Sequence, residues 1–287
     1  MNPNLDVVFH IPKTAGSTLG ANFWCNITSK EALHVECLLD DWQTEGVVRE
    51  VKAQIASRQT EEIRCVFGHW AYWGIHQLVR PQCTPRYITF LREPVERCIS
   101  LYGYLKTRPE NRWYRSLTQD NWSIGEWLQE RGELELLNGQ TRRLLFDGTT
   151  YVGMEHLTLD HLEVAKQRLQ QYWFVGLTET FRQDSLYLYG KLNFRRFHHS
   201  LIVNATPNKP IVSPEERHAL SQANQLDREL YDFARQLRAQ WLRDHAIEFR
   251  LQQSKARILK AIQKNGSALK RSLRRQKTPR SKKAADG

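Results

Sequence analysis

A short apolar run, Val7-Val8-Phe9-His10-Ile11, stops at Pro12 and gives way to the small, polar stretch Thr14–Thr18. Leu19, Phe23 and Ile27 then recur at helical spacing. An apolar run bounded by breakers reads as a buried strand, so the local order is strand, tight loop, helix. A strand without a polar face needs helices over both sides of its sheet, which favours a parallel arrangement. The pattern recurs along the chain. Ile63–Phe67 forms a second predicted strand and runs into Gly68-His69, and Tyr87–Leu91 forms a third and runs into Arg92-Glu93-Pro94. Pro94 suits the first position of a helix, where its missing N–H is not needed. Val95, Cys98, Ile99, Tyr102 and Leu105 then make one apolar helical face. A helix over Asp160–Gln171, a fourth strand at Phe174–Leu177 and a helix over Ser185–Leu192 complete an alternation that specifies an α/β fold around a parallel sheet.

The rest of the chain is helical in pattern. Residues 107–147 are rich in tryptophan and read as a helical insertion or cap, and Asn204–Pro210 reads as a turn-rich loop. Helices are predicted near Pro214–Ala223 and over Asp227–Trp241. The net charge of +11 is unevenly placed: residues 250–287 hold thirteen Lys and Arg against one acid, Asp286, a sum of +12 that leaves residues 1–249 at −1. A nearly neutral globular part with a basic appendage argues against a nucleic-acid-binding fold. Within the tail, Ile258, Ile262, Leu269 and Leu273 outline a faint amphipathic helix, expected to break at Asn265-Gly266. Two readings stay open for it: contact with an anionic membrane or acidic polymer, or a solvated, partly disordered terminus. The five cysteines form no CxxC pair and leave an odd one, which fits a reducing compartment better than a disulfide framework or zinc site. No run approaches the length of a membrane span, and the first residues lack the basic and apolar regions of a secretory signal, so a cytoplasmic protein is expected.

Two stretches carry the chemistry. In His10-Ile11-Pro12-Lys13-Thr14-Ala15-Gly16-Ser17-Thr18 the loop presents backbone N–H groups at the positive end of a helix, a site for phosphate or an isostere. Lys13 adds a point charge, Gly16 permits close backbone approach, and Ser17 and Thr18 add hydroxyl donors. The lysine precedes the glycine and no acidic strand end is placed for magnesium, unlike the nucleotide-triphosphatase loop GxxxxGK[ST], so an anion held without a metal is expected. An ordinary strand–helix turn with a surface lysine has the same pattern. The second stretch is Arg92 through Ser100. Arg92 stands at the carboxyl end of a predicted parallel strand, the edge where open α/β sheets bind ligands. Ser100 lies about 9 Å further along the helix than Pro94. Arginine and hydroxyl are placed to share one phosphate; the competing arrangement pairs Arg92 with Glu93 or Glu96 and leaves Ser100 to solvent.

Both stretches resemble the cosubstrate motifs of sulfotransferases that use 3′-phosphoadenosine 5′-phosphosulfate. FHIPKTAGSTL and LREPVERCISLYGYL are similar to the branch containing heparan sulfate 2-O- and 6-O-sulfotransferases and their bacterial relatives, of which a soluble, bacterial-type member is expected here. Asn138–Arg142 resembles the family's N-x-Q-T-R element. Val175–Glu179, Asn204–Pro207 and Asn224–Tyr231 resemble further stretches in the same order. The resemblance implies a P-loop-like three-layer fold over residues 1–249, with the tail outside it. It also implies transfer of a sulfuryl group to a hydroxyl, a carbohydrate being the favoured acceptor, without a metal. Lys13 would stabilise the leaving group and the 14–18 loop the 5′-phosphate, while Arg92 and Ser100 would take the 3′-phosphate. His69, in a Gly-His-Trp that is similar to the element carrying the 2-O enzymes' catalytic histidine, would be the base. Trp70 and Arg142 are candidates for contact with the acceptor; a surface or helix-pairing role fits Arg142 as well. His10 is expected to be structural, and His76 is a weaker rival base. Two other classes stay in view: a magnesium-dependent nucleotide kinase or triphosphatase of related fold, and a non-catalytic polyanion binder acting through the tail.

Overall fold

A computed structural model describes residues 3–35, 44–130, 134–149, 157–198 and 209–277. Five parallel strands form one sheet: β1 (Asn4–Phe9), β2 (Ala32–His34), β3 (Cys65–Gly68), β4 (Thr84–Leu91) and β5 (Phe174–Leu177), in the spatial order β2-β3-β1-β4-β5. In chain order the helices are α1 (Gly16–Trp24), α2 (Thr44–Ala56), α3 (His76–Val79), α4 (Pro94–Leu105), α5 (Tyr114–Thr118), α6 (Ile124–Gln129), α7 (Gly139–Leu145), α8 (Leu159–Gln170), α9 (Phe181–Lys191), α10 (Pro214–Ala223), α11 (Gln225–Asp244) and α12 (Ala246–Lys277).

Alternation along the central strands builds the layers. On β1, Leu5, Val7 and Phe9 face a core closed by α2, α3, α7, α8 and α11, whereas Val8 faces one closed by α1, α9 and Ala256 of α12. On β4, Tyr87 and Leu91 join the first core and Ile88 and Phe90 the second. The sheet is therefore buried on both faces, and the expected P-loop-like three-layer α/β architecture holds.

Strand order fixes where a ligand can sit. The chain leaves β1 toward β2 on one side and leaves β4 toward β5 on the other, while β1 and β4 are neighbours in register, with Val8 opposite Ile88. Connections running in opposite directions open a crevice at the carboxyl ends of that pair.

Strand β2 and helix α2 are absent from the sequence reading; β2 has three residues at the sheet edge and ends on an exposed histidine. Within 107–147, α5 and α6 pack with α4 and α10 around Trp127 in a third cluster, away from the sheet, while Leu144, Leu145 and Phe146 belong to the sheet's own core. The helix expected to break at Asn265-Gly266 runs unbroken to Lys277, and the boundary expected at 249/250 falls inside it. The 204–207 stretch of the resemblance lies outside the described residues.

Candidate active site

After β1 the chain turns sharply. His10 N donates to Gly68 O at 3.2 Å, and Lys13 and Ala15 take left-handed conformations with φ of 69° and 68°. Thr14 is buried, and its hydroxyl donates to Ile11 O at 2.8 Å, which tightens the loop from within. Thr18 N and Leu19 N both donate to Ala15 O and start α1. That helix has no side-chain cap and no acid in its first turn, so its positive end is open to an anion. Ser17 is exposed and Thr18 buried. Gly16 serves a purpose beyond backbone approach to a ligand: a Cβ there would lie 1.7 Å from His10 Nε2, so the imidazole fills the space the missing side chain leaves.

Lys13 and Arg92 meet in the crevice. Arg92 Nη1 donates to Lys13 O at 3.2 Å, and Lys13 Nζ stands 3.9 Å from the centre of the Tyr104 ring on α4. Burial, with the charges of Arg92 and Arg108, lowers the lysine pKa to about 8. Tyr104 and Ser100 are four residues apart and share a helical face, so the part-exposed Ser100 lies on the side of α4 turned toward the loop. The alternative partners of Arg92 are occupied elsewhere. Glu93 caps α4, accepting from Val95 N at 3.2 Å and Glu96 N at 2.8 Å, while Glu96 binds Arg217 at 3.0 Å and Lys209.

Gln140 holds Arg92 from behind. Its amide accepts from Arg92 N and donates to Arg92 O, both at 2.9 Å. Gln140 is held in turn by buried Asp227, which accepts from Gln140 N at 3.0 Å, Thr141 N at 2.7 Å and the Thr141 hydroxyl at 2.8 Å at the start of α7. Asn138 completes the join, donating from its N–H to Asn224 Oδ1 at 2.7 Å and accepting from Asp227 N at 3.1 Å. Fully buried Arg97 lies between Glu135 and Asp227. The two stretches 138–142 and 224–231 are thus halves of one hydrogen-bonded joint whose output is the position of Arg92.

His69 follows β3. Its Nδ1 is 2.9 Å from His10 O; a carbonyl only accepts, so Nδ1 carries the proton and Nε2 keeps its lone pair in the neutral ring. The ring stacks on His10 with centroids 4.0 Å apart. Burial, and then the neighbouring His69 and Arg143, hold the His10 pKa well below the usual range, so His10 stays neutral. Arg143 Nη1 donates to His69 O at 2.6 Å and pairs through Nε with Glu135. A continuous stack of His69 on His10 on Gly16 therefore links the histidine to the anion loop.

Arg142 is 2% exposed, and its guanidinium donates to Leu137 O at 3.4 Å, so it is packed into the fold beside the α7 joint, as a helix-pairing role would have it. Trp70 is buried too, edge-on to Phe146 and under the Arg143 guanidinium. His76 Nδ1 is 2.8 Å from Tyr87 Oη, midway along β4 and away from its carboxyl end. Gln140, Tyr104, Arg143 and Asp227 were assigned no individual role by the sequence, although Gln140, Tyr104 and Asp227 lie within stretches that stand out in it. Among the described residues no cluster of His, Cys, Asp and Glu is arranged to hold a metal.

Fold and site define an α/β protein in which a strand–loop–helix unit with an uncapped helix N-terminus lies beside an arginine at the switch point of the sheet. No family model matches the chain. Over 305 aligned residues it is 27% identical to heparan-sulfate 6-O-sulfotransferase 2 of Gallus gallus, covering 91% of this chain and 74% of that protein. The chain is a distant homologue of a sulfotransferase, which supports its being a transferase. Among the described residues no helix is long and apolar enough to cross a membrane.

Proposed function

We propose that this protein transfers a sulfuryl group from 3′-phosphoadenosine 5′-phosphosulfate to a carbohydrate hydroxyl. The observation that carries the reading is the Arg92–Lys13 contact, which joins the two anion-gripping segments at one crevice. The 14–18 loop and the α1 N-terminus receive the 5′-phosphate, and Arg92 with Ser100 receives the 3′-phosphate. The acceptor hydroxyl gives its proton to His69 Nε2 as its oxygen bonds to sulfur. The bond from sulfur to the bridging oxygen breaks in line, and Lys13 neutralises the charge gathering on the departing phosphate. The products are the sulfated acceptor and adenosine 3′,5′-bisphosphate. A carbohydrate acceptor rests on the distant relative's named activity.

The deciding experiment is calorimetric titration of adenosine 3′,5′-bisphosphate and of ATP with EDTA present. The bisphosphate should bind and Arg92→Ala should weaken it by about tenfold or more. Binding of ATP alone, restored by magnesium, would turn the reading toward a kinase or triphosphatase.

A further inference from the structure

Helix α12 has two apolar faces. One packs inward: Ala256 and Gln253 are buried, Leu259 joins the core over β1 and β4, and Gln252 O comes so close to Gly190 that a Cβ there would lie 2.3 Å away. The other is in solvent. Ile247, Leu251, Ile258 and Ile262 are 60–77% exposed and, at 3.6 residues per turn, lie on the side opposite Gln253 and Ala256. Their spacing is regular, since Ile258 and Ile262 follow Ile247 and Leu251 by eleven residues, and the sequence repeats the pair eleven residues on as Leu269 and Leu273. Among the described residues nothing buries these four large aliphatic side chains, which stand along one line of the helix.

The charge beside this line names the partner. Arg250, Arg257 and Lys264 recur every seven residues along one flank and are exposed. No acid occurs between residues 249 and 277, and Glu248 is already engaged by Lys191. A second copy of this face would oppose like charges, and an acidic polymer would gain nothing from a row of isoleucines. An apolar stripe bordered by a basic row is the chemistry of a helix lying at an anionic bilayer surface. We infer that the outer face of α12 docks on anionic lipid, with the isoleucine line at the acyl boundary and the basic row among the headgroups.

The test is flotation of the full chain with vesicles of phosphatidylcholine, alone or mixed with phosphatidylglycerol, at low and physiological salt. The chain should float with the mixed vesicles only. Ile258→Ser with Ile262→Ser should lower the bound fraction about tenfold at physiological salt, as should Arg250→Gln, Arg257→Gln and Lys264→Gln together. Ile247→Ser with Leu251→Ser, on the same stripe, gives a second reading if the first pair alters the thermal midpoint. Failure of the wild-type chain to float overturns the inference. So does a serine pair that floats like wild type, since the contact is then charge alone and an acidic polymer would serve. A wild-type dimer in sedimentation that the serine pair dissociates overturns it as well, because a second copy then covers the face.

Discussion

In the proposed transfer Lys13 can act only while protonated, yet burial beside Arg92 and Arg108 brings its pKa down to about 8. The sign follows directly: the lysine is charged below that pH and neutral above it, so kcat/KM should fall along a basic limb near pH 8. Lys13→Arg, whose guanidinium does not deprotonate, should lose activity yet carry no such limb. A limb unchanged in that variant would belong to another group. Lys13→Ala should cost about a hundredfold or more in turnover with an unchanged circular dichroism spectrum. In the proposed site Gln140 would act one step back from the ligand, through the Arg92 backbone. Gln140→Ala leaves Arg92 N and Arg92 O without their side-chain partner, and such buried groups cost about 1–3 kcal/mol. Bisphosphate affinity should drop, and Gln140→Glu, which still accepts from Arg92 N but cannot donate to Arg92 O, should fall between the two in urea unfolding and in calorimetry.

At the level of elements, the loop between β1 and α1 is shaped by the fit of the His10 ring against Gly16. Gly16→Ala should force the imidazole away, at about 1–3 kcal/mol of overpacking, and loosen the His69 ring stacked on it. His10→Ser in the Gly16→Ala background should recover part of that stability in denaturant titration; if the double variant is no better than the single, the ring is not what the glycine accommodates. The strand–loop–helix order was legible in the sequence because β1, β3 and β4 each run into a glycine or proline within a few residues, and Pro94 does open α4. Strand β2 was not legible, since a three-residue edge strand leaves no period to read. The break expected at Asn265-Gly266 fails because one glycine costs a helix only about 1 kcal/mol. In the site, Lys13 and Arg92 stood out through local patterns. The joint of Gln140 with Arg92 and Asp227 spans 48 and 87 residues, and no local pattern records a pairing at that range.

For the molecule as a whole, α12 decides where the folded unit ends. Its first turns complete the core over β1 and β4: Ala256 is fully buried, Leu259 packs against that cluster, and Gln263 exchanges hydrogen bonds with the Phe197 backbone at 2.7 and 2.8 Å. A chain cut after Phe249 therefore exposes apolar surface that the sheet needs covered, whereas a chain cut after Lys264 keeps every one of these contacts. The shorter chain should lose about 2–4 kcal/mol in urea unfolding and the longer one should match the intact protein to within about 0.5 kcal/mol. Equal stability of both truncations would mean that α12 rests on the fold without holding it, and the basic segment would then be an appendage from residue 250 onward. Loss in the short chain alone makes the helix a shared element, one face closing the core and the other left for a partner.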